Sequence, residues 1–164
     1  MELSLWVPLH SSLLNALDPY RVRSVATTGA GIGLNLLSPY IPQDQLRKAV
    51  AEIKQNRPYW LGDFYPLAGF NAQDRDWCVW QFHRSDLHAG YALFFRRPKS
   101  LQSDMTVSLR GLDPAAKYEV TFAETYDVKD RRTMTGNDLS KLRVNLPSPA
   151  SSMLVRYRRI EEAR

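Results

Sequence analysis

The sequence predicts an α/β unit followed by an all-β unit, and three observations carry that reading. Up to about residue 60, apolar runs alternate with helical stripes; after Gly69 the apolar period becomes two. Between these regimes lies Arg57 to Arg84 (RPYWLGDFYPLAGFNAQDRDWCVWQFHR), which holds three of the four tryptophans. Pro58 ends the helical pattern, because proline lacks an N–H for the ladder and restricts the residue ahead of it. Tyr59, Trp60, Phe64 and Tyr65 then supply flat apolar surface, suited to a seam between two packed units.

Taken in order, Leu3 to Leu9 (LSLWVPL) reads as a strand covered on both faces in a parallel sheet. A polar loop with His10, Ser11 and Ser12 follows. Asp18 is a good N-cap, Pro19 fits the first helical position, and Val22, Val25 and Ala26 make an apolar stripe that Gly29 can end. Ile32 to Leu37 reads as a second buried strand, and Ser38 to Pro42 as a turn. A second helix runs from about Gln43 to Asn56. Its stripe is Leu46, Ala49, Val50 and Ile53, with Arg47, Lys48, Glu52 and Lys54 off it. Strand, helix, strand, helix implies parallel strands with right-handed crossovers. Two parallel strands have bare edges and little cover, so the first sixty residues read as the end of a larger α/β domain.

The downstream strands show clean alternation. Cys78, Trp80 and Phe82 oppose Trp77, Val79, Gln81 and His83. Tyr91 to Arg97 begins apolar on both faces, which suggests that these two strands are central. Further alternating runs are centred on Val107, Val120, Val144 and Val155. Turn signals at Ser85-Asp86, Arg97-Pro98, Gly111 to Pro114, Gly136-Asn137 and Pro147 to Pro149 separate them. Short strands at this spacing indicate an antiparallel β-sandwich. The predicted division is therefore residues 1–60 and 61–164.

Bulk properties exclude several classes. At 164 residues, 44% hydrophobic and 24% charged, the chain is an ordinary globular one. The formal charge is +5, yet the arginines are scattered and form no run of like charge; they read as solvated strand faces, with no nucleic-acid patch. Cys78 is alone, which excludes an internal disulfide. No secretory signal pattern opens the sequence, and no apolar stretch reaches the roughly 18 residues of a membrane span. The expectation is a cytoplasmic chain with no membrane partner.

Chemistry is sparse. Cys78, His83 and His88 lack metal-ligand spacing, so neither a metal nor a cofactor is expected. Gly29, Gly31 and Gly33 follow a helix and lead into a strand, the reverse of a phosphate-binding turn. No G-x-S-x-G elbow exists. On a barrel, a carboxylate pair would project from the C-terminal ends of parallel strands, and the two ends here offer none. No catalytic residue is expected. His10 stands where a barrel strand would deliver a side chain to the mouth of a site, or is simply part of a polar loop. Arg21 and Arg23 lie in the following helix, on a solvent face or in ion pairs.

Several stretches carry a resemblance: DPYRVRSVATTGAGIGLNLL, QLRKAVAEIKQNRPYWLGDFYPL, DWCVWQFHR, GYALFFRRP, LRGLDPAAKYEV and SSMLVRYRR. In order, they resemble the C-terminal region of melibiase-type α-galactosidases and relatives in glycoside hydrolase family 36. Most specific are R-P-Y-x-x-G-D-x-Y-P-L, W-x-x-W-Q and L-R-G-L-D-P-x-x-x-Y-x-V. The resemblance implies the last two βα units of a (β/α)8 barrel followed by a C-terminal antiparallel β-sandwich. It also implies that the two catalytic aspartates of a retaining mechanism lie before the position of Met1. The chain alone is then inactive, a structural segment of a carbohydrate-metabolising glycosidase, with an upstream barrel chain or a second copy as its partner. His10 and Arg23 match positions near a sugar pocket, where an α-galactoside would bind in a complete enzyme. The alternative is a stand-alone carbohydrate-binding sandwich, with Trp60, Trp77 and Trp80 stacking on sugar faces.

Overall fold

The computed structural model describes residues 12–68 and 74–161. The predicted first strand, Leu3 to Leu9, and His10 lie outside the described residues. Strand β1 (Ser12–Leu14) and strand β2 (Ala30–Ile32) form a two-stranded parallel ribbon, linked by helix α1 (Pro19–Val25). Helix α2 (Gln43–Asn56) follows. The remaining strands are β3 (Asp63–Ala68), β4 (Cys78–Arg84), β5 (Ala89–Arg96), β6 (Asp104–Val107), β7 (Lys117–Ala123), β8 (Asp130–Thr135), β9 (Leu142–Asn145) and β10 (Ser151–Arg159). A short helix, α3 (Gly136–Leu139), sits between β8 and β9.

Six of these strands make one antiparallel sheet in the order β3-β4-β5-β10-β7-β8. β6 and β9 pair as a separate antiparallel ribbon. Alternation then sorts the side chains by face. Val79, Ala92, Phe94, Val120, Phe122 and Val155 meet Val107, Leu142 and Val144 of the ribbon in one apolar core. Trp80, Phe82, Tyr91, Leu93, Phe95 and Leu154 lie on the opposite face, against Tyr20, Tyr59, Trp60 and Phe64. The described residues thus form a lopsided sandwich carrying a small helical layer. Every residue of β5 is buried, as expected of a central strand covered on both faces.

The edges are blunted by sequence. β3 carries Pro66, tolerated because an edge strand has an outward N–H that needs no partner, and its register shifts between Pro66 and Ala68. β8 carries Asp130, Arg131 and Arg132, charges that oppose further pairing. Neither strand shows apolar alternation, so the sequence pattern does not announce them.

The N-terminal part departs from expectation in four places. The first described strand begins at Ser12, inside the predicted polar loop, because Leu14 is the residue that reaches the core. The predicted strand Ile32 to Leu37 stops at Ile32. Asn35 diverts the chain there: its side-chain Oδ1 accepts from Leu37 N at 3.2 Å and its carbonyl accepts from Ser38 N at 3.0 Å. Leu37 is consequently 93% exposed. Helix α1 starts as predicted, with Asp18 accepting from Arg21 N at 3.0 Å, but ends at Ala26 instead of Gly29. Helix α2 keeps its predicted bounds and buries Ala49, Glu52 and Asn56. Glu52, placed off the apolar stripe by the sequence pattern, is therefore on the inner face.

Candidate functional site

The densest buried polar chemistry among the described residues lies where the helices meet the sheet. Arg23 of α1 is 1% exposed and Glu52 of α2 is 5% exposed. They form a two-pronged pair: Nε donates to Oε1 and Nη2 to Oε2, both at 2.8 Å. Nη1 donates to the carbonyls of Glu124 (3.0 Å) and Ser152 (3.2 Å) and to the Ser152 hydroxyl (3.1 Å). Nη2 also donates to the Thr125 carbonyl at 2.7 Å. All five N–H groups of the guanidinium are directed at protein acceptors. One side chain thereby joins both helices, β10 and the β7–β8 connection.

Along the same seam, Arg156 of β10 donates through Nε to Asn56 Oδ1 at 3.0 Å, near the C-terminus of α2. Its Nη2 is buried without a hydrogen-bond partner among the described residues. Burial lowers its pKa, since the charged form is penalised away from water, and nearby Glu52 works in the opposite direction. Trp60 Nε1 donates to the Tyr91 hydroxyl at 2.9 Å. Complete burial pushes the Tyr91 phenol far up, only partly offset by that hydrogen bond, so Tyr91 stays protonated.

The predicted site residues do not converge. Arg23 matches a sugar-pocket position by resemblance, yet here its N–H groups are all engaged within the protein. Trp77 and Trp80 are 3% and 5% exposed and carry the two cores, one on each face of the sheet. Trp77 Nε1 donates to the Gln102 carbonyl at 2.9 Å; Trp80 Nε1 is buried without a hydrogen-bond partner among the described residues. Trp60 is the one of the three with a partly exposed ring, at the aromatic seam. Arg96, grouped by sequence with solvated arginines, is 8% exposed and donates to the carbonyls of Leu146, Pro147 and Ser100. Sequence reasoning missed Glu52 and Asn56. Their spacing from Ala49, at i+3 and i+7, was the available signal.

Elsewhere the chemistry is thin. An open groove of about 550 Å³ is lined by His88, Asp113, Lys117 and Arg159 at one end of the sheet. No group of three or more His, Cys, Asp or Glu side chains capable of holding a metal occurs among the described residues. No helix among them is long and apolar enough to cross a membrane.

With this geometry in view, solved structures offer a comparison. The α-galactosidase of Lactobacillus brevis superimposes on 88% of this chain with a TM-score of 0.65 at 19% identity. The family 36 α-galactosidase AgaA of Geobacillus stearothermophilus, in complex with raffinose, matches 85% with a TM-score of 0.65 at 20% identity. AgaB of the same organism, also a family 36 α-galactosidase, matches 94% with a TM-score of 0.63 at 21% identity. The chain spans about one fifth of the length of these enzymes, 20%, 19% and 21% respectively. No protein-family model matches the chain, and no curated protein does. The likeness is one of fold: the chain resembles the C-terminal, β-rich region of glycoside hydrolase family 36 α-galactosidases.

Proposed function

We propose that this chain acts as the C-terminal segment of an α-galactosidase-like glycoside hydrolase. It supports a (β/α)8 barrel that other polypeptide completes, and it does not turn over substrate alone. Residues 1–60 then contribute the last two βα units, and residues 61–164 the sandwich behind them. The observation that carries this reading is the fold likeness, which takes in 88% of this chain but 20% of the Lactobacillus brevis enzyme.

The surface of the N-terminal unit supports it. Leu13, Ile32, Leu36, Leu37 and Tyr40 are all exposed, with Leu37 at 93% and Tyr40 at 91%. Among the described residues no further strand pairs with this two-stranded ribbon, whereas parallel sheets are normally extended and covered on both faces. A neighbouring parallel strand and its helix would satisfy both needs at once. In the completed enzyme an α-galactoside is the substrate, and His10 remains the candidate sugar contact. Arg23 is assigned to the framework, tying the barrel remnant to the sheet.

The test is hydrolysis of p-nitrophenyl α-galactoside. The purified chain should show no turnover, and adding a polypeptide that carries the remaining barrel strands and their aspartates should restore it. Turnover by this chain alone would overturn the proposal. Calorimetric titration with raffinose covers the stand-alone carbohydrate-binding reading: binding abolished by Trp60→Ala would favour that reading instead.

A further inference from the structure

On the face of the sheet opposite the helices, three buried side chains form a polar chain. Gln81 of β4 is fully buried, and its amide is read by the backbone of Arg110: Oε1 accepts from Arg110 N and Nε2 donates to the Arg110 carbonyl, both at 2.8 Å. A flipped amide would set oxygen against oxygen and nitrogen against N–H, so the orientation is determined. The second N–H of Nε2 donates to the Tyr157 hydroxyl at 2.6 Å. That hydroxyl oxygen lies 3.1 Å from Nδ1 of His83, whose ring stacks on the Tyr157 ring at 5.9 Å and 18°. Gln81 has no acceptor left to offer the tyrosine. The hydroxyl hydrogen therefore has one acceptor within this trio, the lone pair of His83 Nδ1. A hydroxyl that donates there requires the neutral Nε2–H tautomer of His83.

The β6–β7 connection rests on this imidazole. Gly111 takes φ +75°, and a Cβ there would stand 2.8 Å from His83 Cδ2. Gln81 holds the neighbouring Arg110 peptide from below, so a single trio seats the connection from Arg110 onward.

We propose that His83 is a proton-operated lock for the β6–β7 connection. While neutral, it accepts the Tyr157 proton and the connection stays seated. A proton on Nδ1 makes a second donor point at the Tyr157 oxygen, strands the hydroxyl hydrogen without an acceptor, and places a charge in a site that is 3% exposed. The lock then opens.

The surrounding charges are mixed. Asp63 of β3 lies opposite His83 in register and favours the imidazolium, and His88 on the β4–β5 turn disfavours it. β5 presents Gly90 opposite, and β10 presents Tyr157 itself. Tyr118 of β7 meets the Tyr157 ring edge-on, and Tyr65 of β3 lies opposite Gln81. Burial outweighs Asp63 and lowers the His83 pKa below its ordinary 6.5. Burial raises the Tyr157 pKa, so the hydroxyl keeps its proton throughout. The unfolded chain binds the His83 proton more tightly than the folded one. The trio's contribution is therefore whole above about pH 6.5 and is lost as the pH falls below it.

The experiment uses the full chain and does not depend on the proposed enzymatic role. Imidazole nitrogen NMR at neutral pH should show His83 as the Nε2–H tautomer; the Nδ1–H tautomer, or an imidazolium, would overturn the proposal. Amide hydrogen exchange, corrected for intrinsic rates, should show opening across residues 110–116 rising severalfold, by at most about tenfold, between about pH 7.5 and 5.5. His83→Gln should flatten that rise, and His88→Gln should leave it intact. A rise that survives in His83→Gln, or disappears in His88→Gln, would refute the assignment. The tautomer measurement decides the question even where a variant fails to fold.

Discussion

The two faces of the six-stranded sheet are closed by different means. The face under the β6–β9 ribbon is a conventional core of Val79, Phe94, Val120, Val155 and their neighbours. The face under the helices is aromatic, and its helical cover is fastened by Arg23, Glu52, Asn56 and Arg156. Apolar contact is non-directional and tolerates small slides of one layer over another. A guanidinium directing five N–H groups at acceptors on three other segments tolerates almost none. The helical layer is thus oriented as well as attached.

The largest expected effects test this contrast directly. Arg23→Ala leaves Glu52 buried and unpaired, and should cost about 3–5 kcal/mol in urea unfolding. Replacing both partners with Arg23→Met and Glu52→Leu should recover most of that loss, because no charge is then stranded. If Arg23→Ala were nearly silent, the seam would be an ordinary apolar contact and the contrast would fail. On the opposite face, Phe94→Ala should also cost about 3–5 kcal/mol, through lost transfer energy and a residual cavity. No paired replacement should rescue it, since nothing charged has been orphaned there.

Smaller effects sharpen the picture. Trp60→Phe removes the 2.9 Å hydrogen bond to the Tyr91 hydroxyl while keeping an aromatic ring. A loss of about 1 kcal/mol is expected. Lys48→Ala breaks an exposed pair with Asp127 that also links α2 to the β7–β8 connection. Its cost should be at most about 0.5–1 kcal/mol and should vanish at high salt. A salt-independent loss would mean that the seam extends to the surface.

Legibility followed local chemistry. Strands with clean alternation, such as β4, β7, β9 and β10, could be read to within a residue or two, because each face met one environment. Helix α1 announced its start through Asp18 and Pro19, which act on their own backbone. β3 and β8 escaped because an edge strand needs no apolar alternation. Glu52 and Asn56 escaped for a different reason: a charged residue at a buried helical position looks solvent-facing until its partner is known. Arg23 and Ser152 are 129 residues apart, and no local pattern joins them.

By itself, then, the sequence determined the succession of a short α/β unit and a longer antiparallel one, since period and turn chemistry are properties of neighbouring residues. Only the tertiary structure decided which arginines are buried, which tryptophans are core, and which ring nitrogen of His83 faces the Tyr157 hydroxyl. Each of those depends on the atoms that other segments bring within about 3 Å, the range at which a hydrogen bond either forms or is lost.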